Sequence, residues 1–437
     1  METRTAHSLI RFGLGRVGQA PLPRDPLAML EGELDGPDPA LALPGASAAE
    51  GLVALREDRA ARAARKADGA EKEPTQVRSL VQADADRLGD HLLTTPHGFR
   101  ERLVWFWLNH FTVSFRRPEI SGVINPYIRE AIRPNVTGRF HDMLLAVMNH
   151  PAMLMYLDNQ GSFGPNSPAG LRTRRGLNEN LARESLELHT VTPASGYAQA
   201  DVTSYARILT GWSIDLNLNP PGYVFRLNAH EPGEKTMMGR SFPHGRGGAL
   251  EAFDFLAHHP ATYHNLATKL VRHFVADDPP PDAVAKVAAV LKETGGDLKA
   301  AAKAVLHLPA AWTPLAKLRD PFDYVIAVLR AMDLPKEKRP PQVARVMAGL
   351  GQPPLSAPLP NGWPDTAVEW SGGEAVMRRI DWAYAVAGRG AELEAMQVAD
   401  ASLGPLLGTE TKEQIRRAGS RRDALALLFG SPEFQRR

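Results

Sequence analysis

Residues 99–113, F-R-E-R-L-V-W-F-W-L-N-H-F-T-V, decide how this chain folds. Phe99, Leu103, Phe106 and His110 recur at i, i+4, i+7 and i+11, which is one stripe of an α-helix. Trp105, Trp107 and Leu108 cover the other sides. A helix that is apolar all round is wrapped by other helices, so the run predicts a buried central rod in a multi-helical globule. Thr95, Pro96 and Gly98 punctuate its start.

Working outward, residues 123–157 carry further helical pattern, broken at Pro134 and Pro151. Asn178–Thr192 and Ala200–Gly211 read as two more helices, stopped by Gly196 and Gly211. Between Trp212 and Arg246 the pattern lapses. There Tyr223–Leu227 alternates and is expected to pair with Lys235–Phe242 as one β-hairpin. Residues 248–437 return to helices with Pro-rich joints. The expected fold class is therefore mainly α: a multi-helical globular fold with a short irregular β-hairpin insertion. Three regions follow. Residues 1–74 form a Gly/Pro-rich entry segment and a charged, Ala-rich helical arm (47–73) that ends at Pro74. Residues 75–276 form the helical core, with the hairpin at 215–245. Residues 277–437 form a C-terminal helical region packed on that core.

Charge narrows the function. With 51 basic and 49 acidic residues the chain has no long-range field for nucleic acid. It has no cysteine, which excludes disulfides, thiolate nucleophiles and Cys-ligated metals. No apolar run reaches the length of a membrane span or a signal peptide, so the expectation is a soluble, cytoplasmic protein. Gly13–Gly18 matches G-x-G-x-x-G, but Pro21, Pro23 and Pro26 follow where a dinucleotide site needs a helix, so the match reads as a turn. Neither a G-x-S-x-G elbow nor a Walker A sequence occurs.

The stretch with most chemistry is N-E-N-L-A-R-E-S-L-E-L-H-T at 178–190. At about 100° per residue, Asn180, Glu184 and Glu187 fall within about 60° of one another, with Arg183 on the flank. Two carboxylates one turn apart repel, and an arginine, a metal or a shared proton must compensate. His189 lies about 140° from Glu184 on such a helix and points elsewhere, as a core or helix-end histidine. His110, inward-facing beside Asn109, is a ligand or proton carrier or else a satisfied core histidine. His230 and His244 flank the irregular hairpin, where loops on a rigid frame carry function. The candidate catalytic set is Glu184, Glu187, Asn180 and Arg183. The candidate metal set is His110, Glu184, His230 and His244, whose N/O chemistry suits Zn, Mn, Fe or Ni.

Several strings together resemble the bacterial family called domain of unknown function 1800. They are F-W-L-N-H-F at 106–111, A-M-L-M-Y-L-D-N at 152–159, the 178–190 stretch, the block from Asp201 ending L-T-G-W at 212, H-E-P-G-E-K-T-M-M-G-R at 230–240 and N-G-W-P at 361–364. They stand in order over most of the chain. The resemblance implies a mainly helical protein, and it implies a periplasmic or cell-envelope location as the alternative to the cytoplasm. It also implies a partner protein encoded nearby. Carried residue by residue, its polar positions fall on Asn109, His110, Asp158, Asn159, Asn180, Arg183, Glu184, Glu187, Asp201, His230, Gly233, Lys235 and Gly239.

Two functions of different class remain open on the residues alone. One is a hydrolase or oxidoreductase using an N/O-ligated divalent metal or a carboxylate pair in a helical pocket. The other is a non-catalytic binding or scaffold module for a glycan or partner protein, with Trp212, Trp363 and Trp370 supplying contacts.

Overall fold

The aromatic run forms the helix Gly98–His110, and eleven of its thirteen residues are buried. Its polar residues are buried as well, which the apolar pattern alone does not anticipate. Each has a partner, as a buried charge requires. Glu101 binds Arg133 through both oxygens, at 2.6 and 2.7 Å, and His91 at 2.9 Å. Arg102 pairs with Asp323 at 2.7 Å. At the helix start, the Glu33 carboxylate accepts the backbone N–H groups of Phe99 and Arg100, at 2.8 and 3.2 Å, where the helix dipole favours an anion.

The computed structural model describes residues 1–68, 75–340 and 342–437. Among them are 21 α-helices and two antiparallel two-stranded sheets. The fold is mainly α, as the periodicity predicts. The Ala-rich arm is the helix Ala48–Asp68, and its expected end at 69–74 lies outside the described residues. No described helix is long and apolar enough to cross a membrane.

Apolar side chains gather in two main clusters. The larger surrounds the aromatic helix and runs in sequence from Phe12 to Ala311. The second is built on the helix Pro321–Met332 and residues onward to Phe434, and it takes in Ile10, Leu14, Leu92 and Leu93 from the other end of the chain. The entry segment is thus less turn-like than its glycines suggest. Residues 3–12 are helical, and His7, Arg11 and Phe12 are buried.

The single hairpin expected at 215–245 is two hairpins. Gly222–Phe225 pairs with Trp212–Asp215 instead of with the later strand. Lys235–Met237 pairs with Arg240–Phe242. Met238 and Gly239, both at positive φ (49° and 75°), make the two-residue turn that closes this second hairpin on itself.

A second departure affects the acidic stretch. Asn180–Glu184 is α-helical, but Ser185–His189 is a wider π-turn. An insertion of that kind breaks the 100° periodicity and rotates everything after Glu184.

Candidate functional site

The π-turn changes which residues point inward. Glu187 and Asn180 are exposed and Glu184 is half-buried, whereas His189 is only 1 % exposed. Burial and the charge of Glu187 raise the Glu184 carboxyl above its ordinary pKa, and Tyr156 and Tyr197 lie near enough to feel that charge. Arg183 pairs with Glu179 at 2.9 Å, not with Glu184 or Glu187.

The expected metal set does not come together. Among the described residues no three His, Asp or Glu side chains gather to hold an ion. The reason is visible in the hydrogen bonds. The His230 Nδ1–H donates to the Thr210 carbonyl at 2.8 Å, and Nε2 accepts from Lys235 Nζ and the Gly245 N–H, both at 3.0 Å. No lone pair is left for a metal. His244 is exposed, with its ring 4.9 Å from that of His230. His110 is equally committed: Nε2 donates to the His189 carbonyl at 3.1 Å, and Nδ1 accepts from Lys269 Nζ at 3.2 Å.

Other motif positions also act as fasteners. Asn159 Nδ2 bridges the carbonyls of Leu209 and Trp212, at 3.1 and 2.8 Å. Asp201 caps Ala198 N–H at 2.8 Å and holds Met238 N–H at 2.6 Å. Asp158 pairs with Arg117 at 2.7 Å. Trp212 and Trp370 are buried and offer no contact face, while Trp363 is only partly covered.

What Trp363 partly covers is a cavity of about 440 Å³ between the aromatic helix, the helix Pro260–Phe274 and the loop that carries N-G-W-P. Asn109 fixes that loop: its Nδ2 donates to the Trp363 carbonyl at 2.8 Å and its Oδ1 accepts the Trp363 N–H at 2.7 Å. Gly362 makes the approach possible. It sits at φ 80°, and a Cβ there would lie 2.5 Å from Asn109 Oδ1.

One wall of the cavity holds a His–Asp pair. His273 Nδ1 lies 2.7 Å from Asp365 Oδ2, the residue directly after N-G-W-P. Asp365 is braced by Lys317, which reaches its carboxylate at 3.5 Å and its backbone carbonyl at 2.8 Å, and by Arg437 at 3.6 Å. Burial drives His273 down to about 4, against the pull of Asp365, so the ring is neutral at pH 7. Burial alone would raise Asp365, but His273, Lys317 and Arg437 hold it well below the usual carboxylate range. With Nδ1–H given to Asp365, His273 Nε2 is a buried acceptor with no partner among the described residues. The indole N–H groups of Trp105 and Trp363, on the same cavity, likewise lack one.

The charges on this wall do not balance evenly. Asp365, Asp323 and Asp277 each have a cation: Asp323 meets Arg102 and Arg437, and Asp277 meets Lys317 at 2.7 Å. Asp320 is bonded to the Asp323 N–H and to Gln352, and burial raises it to about 6. Lys269 has only neutral partners, His110 Nδ1 and the Leu188 carbonyl at 2.8 Å, and burial lowers it to about 8. Arg272 bonds only the Asp277 carbonyl, at 3.4 Å. Among the described residues no carboxylate lies within ion-pair reach of either cation.

His273, Asp365, Lys269 and Arg272 are absent from the sequence-derived set. Two signals pointed to them. Lys269 and His273 stand at i, i+4 on one helix face, and Asp365 adjoins a motif already singled out.

The family model described as "Protein of unknown function (DUF1800)" matches residues 7–436, nearly the whole chain. No curated protein and no solved structure matches.

Proposed function

The chain belongs to the DUF1800 family, and from the geometry of its cavity we propose an enzyme that moves a proton on a small anionic substrate. The observation that carries this is the 2.7 Å His273–Asp365 contact on the cavity wall, with His273 Nε2 unpartnered. Asp365 orients the ring and fixes its tautomer, and His273 Nε2 takes the proton as general base. Lys269, cationic below about pH 8, and Arg272 grip the anionic group. Trp105 and Trp363, which line the same cavity, each carry an unpartnered indole N–H. The resulting state at pH 7, neutral base beside protonated amine, is the one acid–base catalysis needs.

Carboxylate titration followed by NMR of the ring carbons tests it. Acetate and butanoate should shift the His273 signals, assigned with His273→Gln, and Lys269→Met should abolish the shift. Short carboxylates that leave the His273 signals unmoved at millimolar concentration would refute this reading.

A second reading keeps Asn180, Arg183, Glu184 and Glu187 as a carboxylate pair sharing a proton. The raised Glu184 carboxyl, half-buried against Glu187, favours it. Glu184→Gln should then remove a proton uptake above the ordinary carboxylate range in potentiometric titration, and Glu187→Gln should bring that uptake back toward it. Unchanged curves in both variants count against the pair.

A further inference from the structure

A second cavity, of about 570 Å³, lies behind the first. The two share part of their lining: Trp105, Phe322, Pro354 and Leu355 face both. Trp105 and Phe322 pack together in the partition, with ring centroids 4.5 Å apart and ring planes inclined at 45°. Neither residue is fully buried, and no backbone hydrogen bond of a helix or strand separates their rings, so the partition here is made of side chains.

The two chambers differ in chemistry. The first holds the His–Asp pair and the two cations without carboxylates. The second is walled by Val81, Leu88 and Leu92 from one helix, Ile326 from another, and Val343 and Met347 from a third. Of its charged residues, Lys336 meets Asp90 at 2.6 Å and Arg339 meets it at 3.6 Å, while Asp86 and Arg345 are exposed to solvent. A polar chamber with two cations lacking carboxylates, set against an aliphatic one across a partition of shared side chains, is matched to an amphiphile.

We propose that the substrate is a carboxylate with an aliphatic chain, its head on Lys269 and Arg272 and its chain running past Trp105 into the second cavity. This rests on the proton-transfer reading of the first cavity. Burying the chain adds hydrophobic free energy for each methylene, so affinity should climb with length.

Calorimetric titration with acetate, butanoate, hexanoate and octanoate, each below its micelle concentration, reads this directly. The wild-type protein should gain about fourfold in affinity per added methylene. Two substitutions fill the second cavity from opposite walls, Val343→Trp and Ala85→Trp, both at partly exposed positions that tolerate bulk. Each should leave acetate binding unchanged and flatten the length dependence beyond butanoate, with thermal melting confirming the fold. Short carboxylates bound with no gain for octanoate would overturn the second-cavity assignment and leave the head-group site standing. A length gain that survives both filled variants would overturn it too. If no carboxylate of any length binds, the reading of the first cavity falls and takes this one with it. The wild-type length series decides the matter even where a filled variant fails to fold.

Discussion

Asn109 and Trp363 are 254 positions apart, and the side chain of the first clasps both backbone polar groups of the second, at 2.7 and 2.8 Å. This is the contact through which the aromatic helix holds the loop carrying Asp365. Asn109→Ala should therefore cost about 1–3 kcal/mol in denaturant unfolding, the penalty for leaving buried polar groups unpaired. Gly362→Ala should cost more, since its Cβ meets Asn109 and its φ is positive. An Asn109→Ala protein as stable as the wild type would show that the loop is held elsewhere.

Lys269 gives the pH dependence of binding. Burial lowers it to about 8, so its charge is present below that value and disappears as pH rises through it. Acetate affinity should fall between pH 7 and 9. Lys269→Met should lose at least about tenfold in affinity at pH 7 and show no further fall, consistent with a charged hydrogen bond worth about 1.5–3 kcal/mol. Calorimetry across that pH range is the check.

His189 is buried with neither ring nitrogen bonded among the described residues, and burial lowers it to about 3. Burial also lowers His7, His230 and His273, each to about 4, and takes His110 well below its ordinary value. A histidine whose folded pKa lies below its unfolded value costs nothing above pH 6.5. Stability is lost as pH falls from there toward the folded value, because only the unfolded chain takes up the proton. Glu33 and Asp320, raised to about 7 and 6, act in the opposite sense as pH rises through those values. His189→Leu should be neutral or stabilising by about 1 kcal/mol at pH 7. It should also flatten the acid limb between pH 6.5 and 4, by up to one proton. A steeper limb in urea titrations at stepped pH would contradict this.

His230 is a three-way fastener between the Thr210 carbonyl, Lys235 of the second hairpin and the Gly245 N–H. His230→Ala strands those groups and should cost at least about 2 kcal/mol. Added Mn²⁺ should leave the melting temperature of the wild type and the variant unchanged. A wild-type rise that His230→Ala abolishes would restore the metal reading.

Much of the fold is written in local pattern. The stripe of Phe99, Leu103, Phe106 and His110 announces a buried helix, and its apolar surroundings follow from that. The candidate site was less legible. The acidic stripe assumed uniform helix geometry, and the π-turn at Ser185–His189 turned His189 inward and left Glu187 outside. His110 and His230 turned out to be saturated with backbone and lysine partners, a condition no spacing rule reports. His273 and Asp365 pair across 92 positions, so only tertiary packing makes them neighbours.

The brace around Asp365 also sets an order of events in the making of this protein. His273, Lys317, Asp365 and Arg437 come from helices and loops spread from position 273 to position 437. A nascent chain emerged only to residue 360 already owns the imidazole and one of the two cations. It lacks the carboxylate that aims the imidazole and the arginine that steadies that carboxylate. The His–Asp pair cannot form before Asp365 has left the ribosome, so a chain clipped ahead of that residue lacks the partner that orients His273 even where its helices have formed.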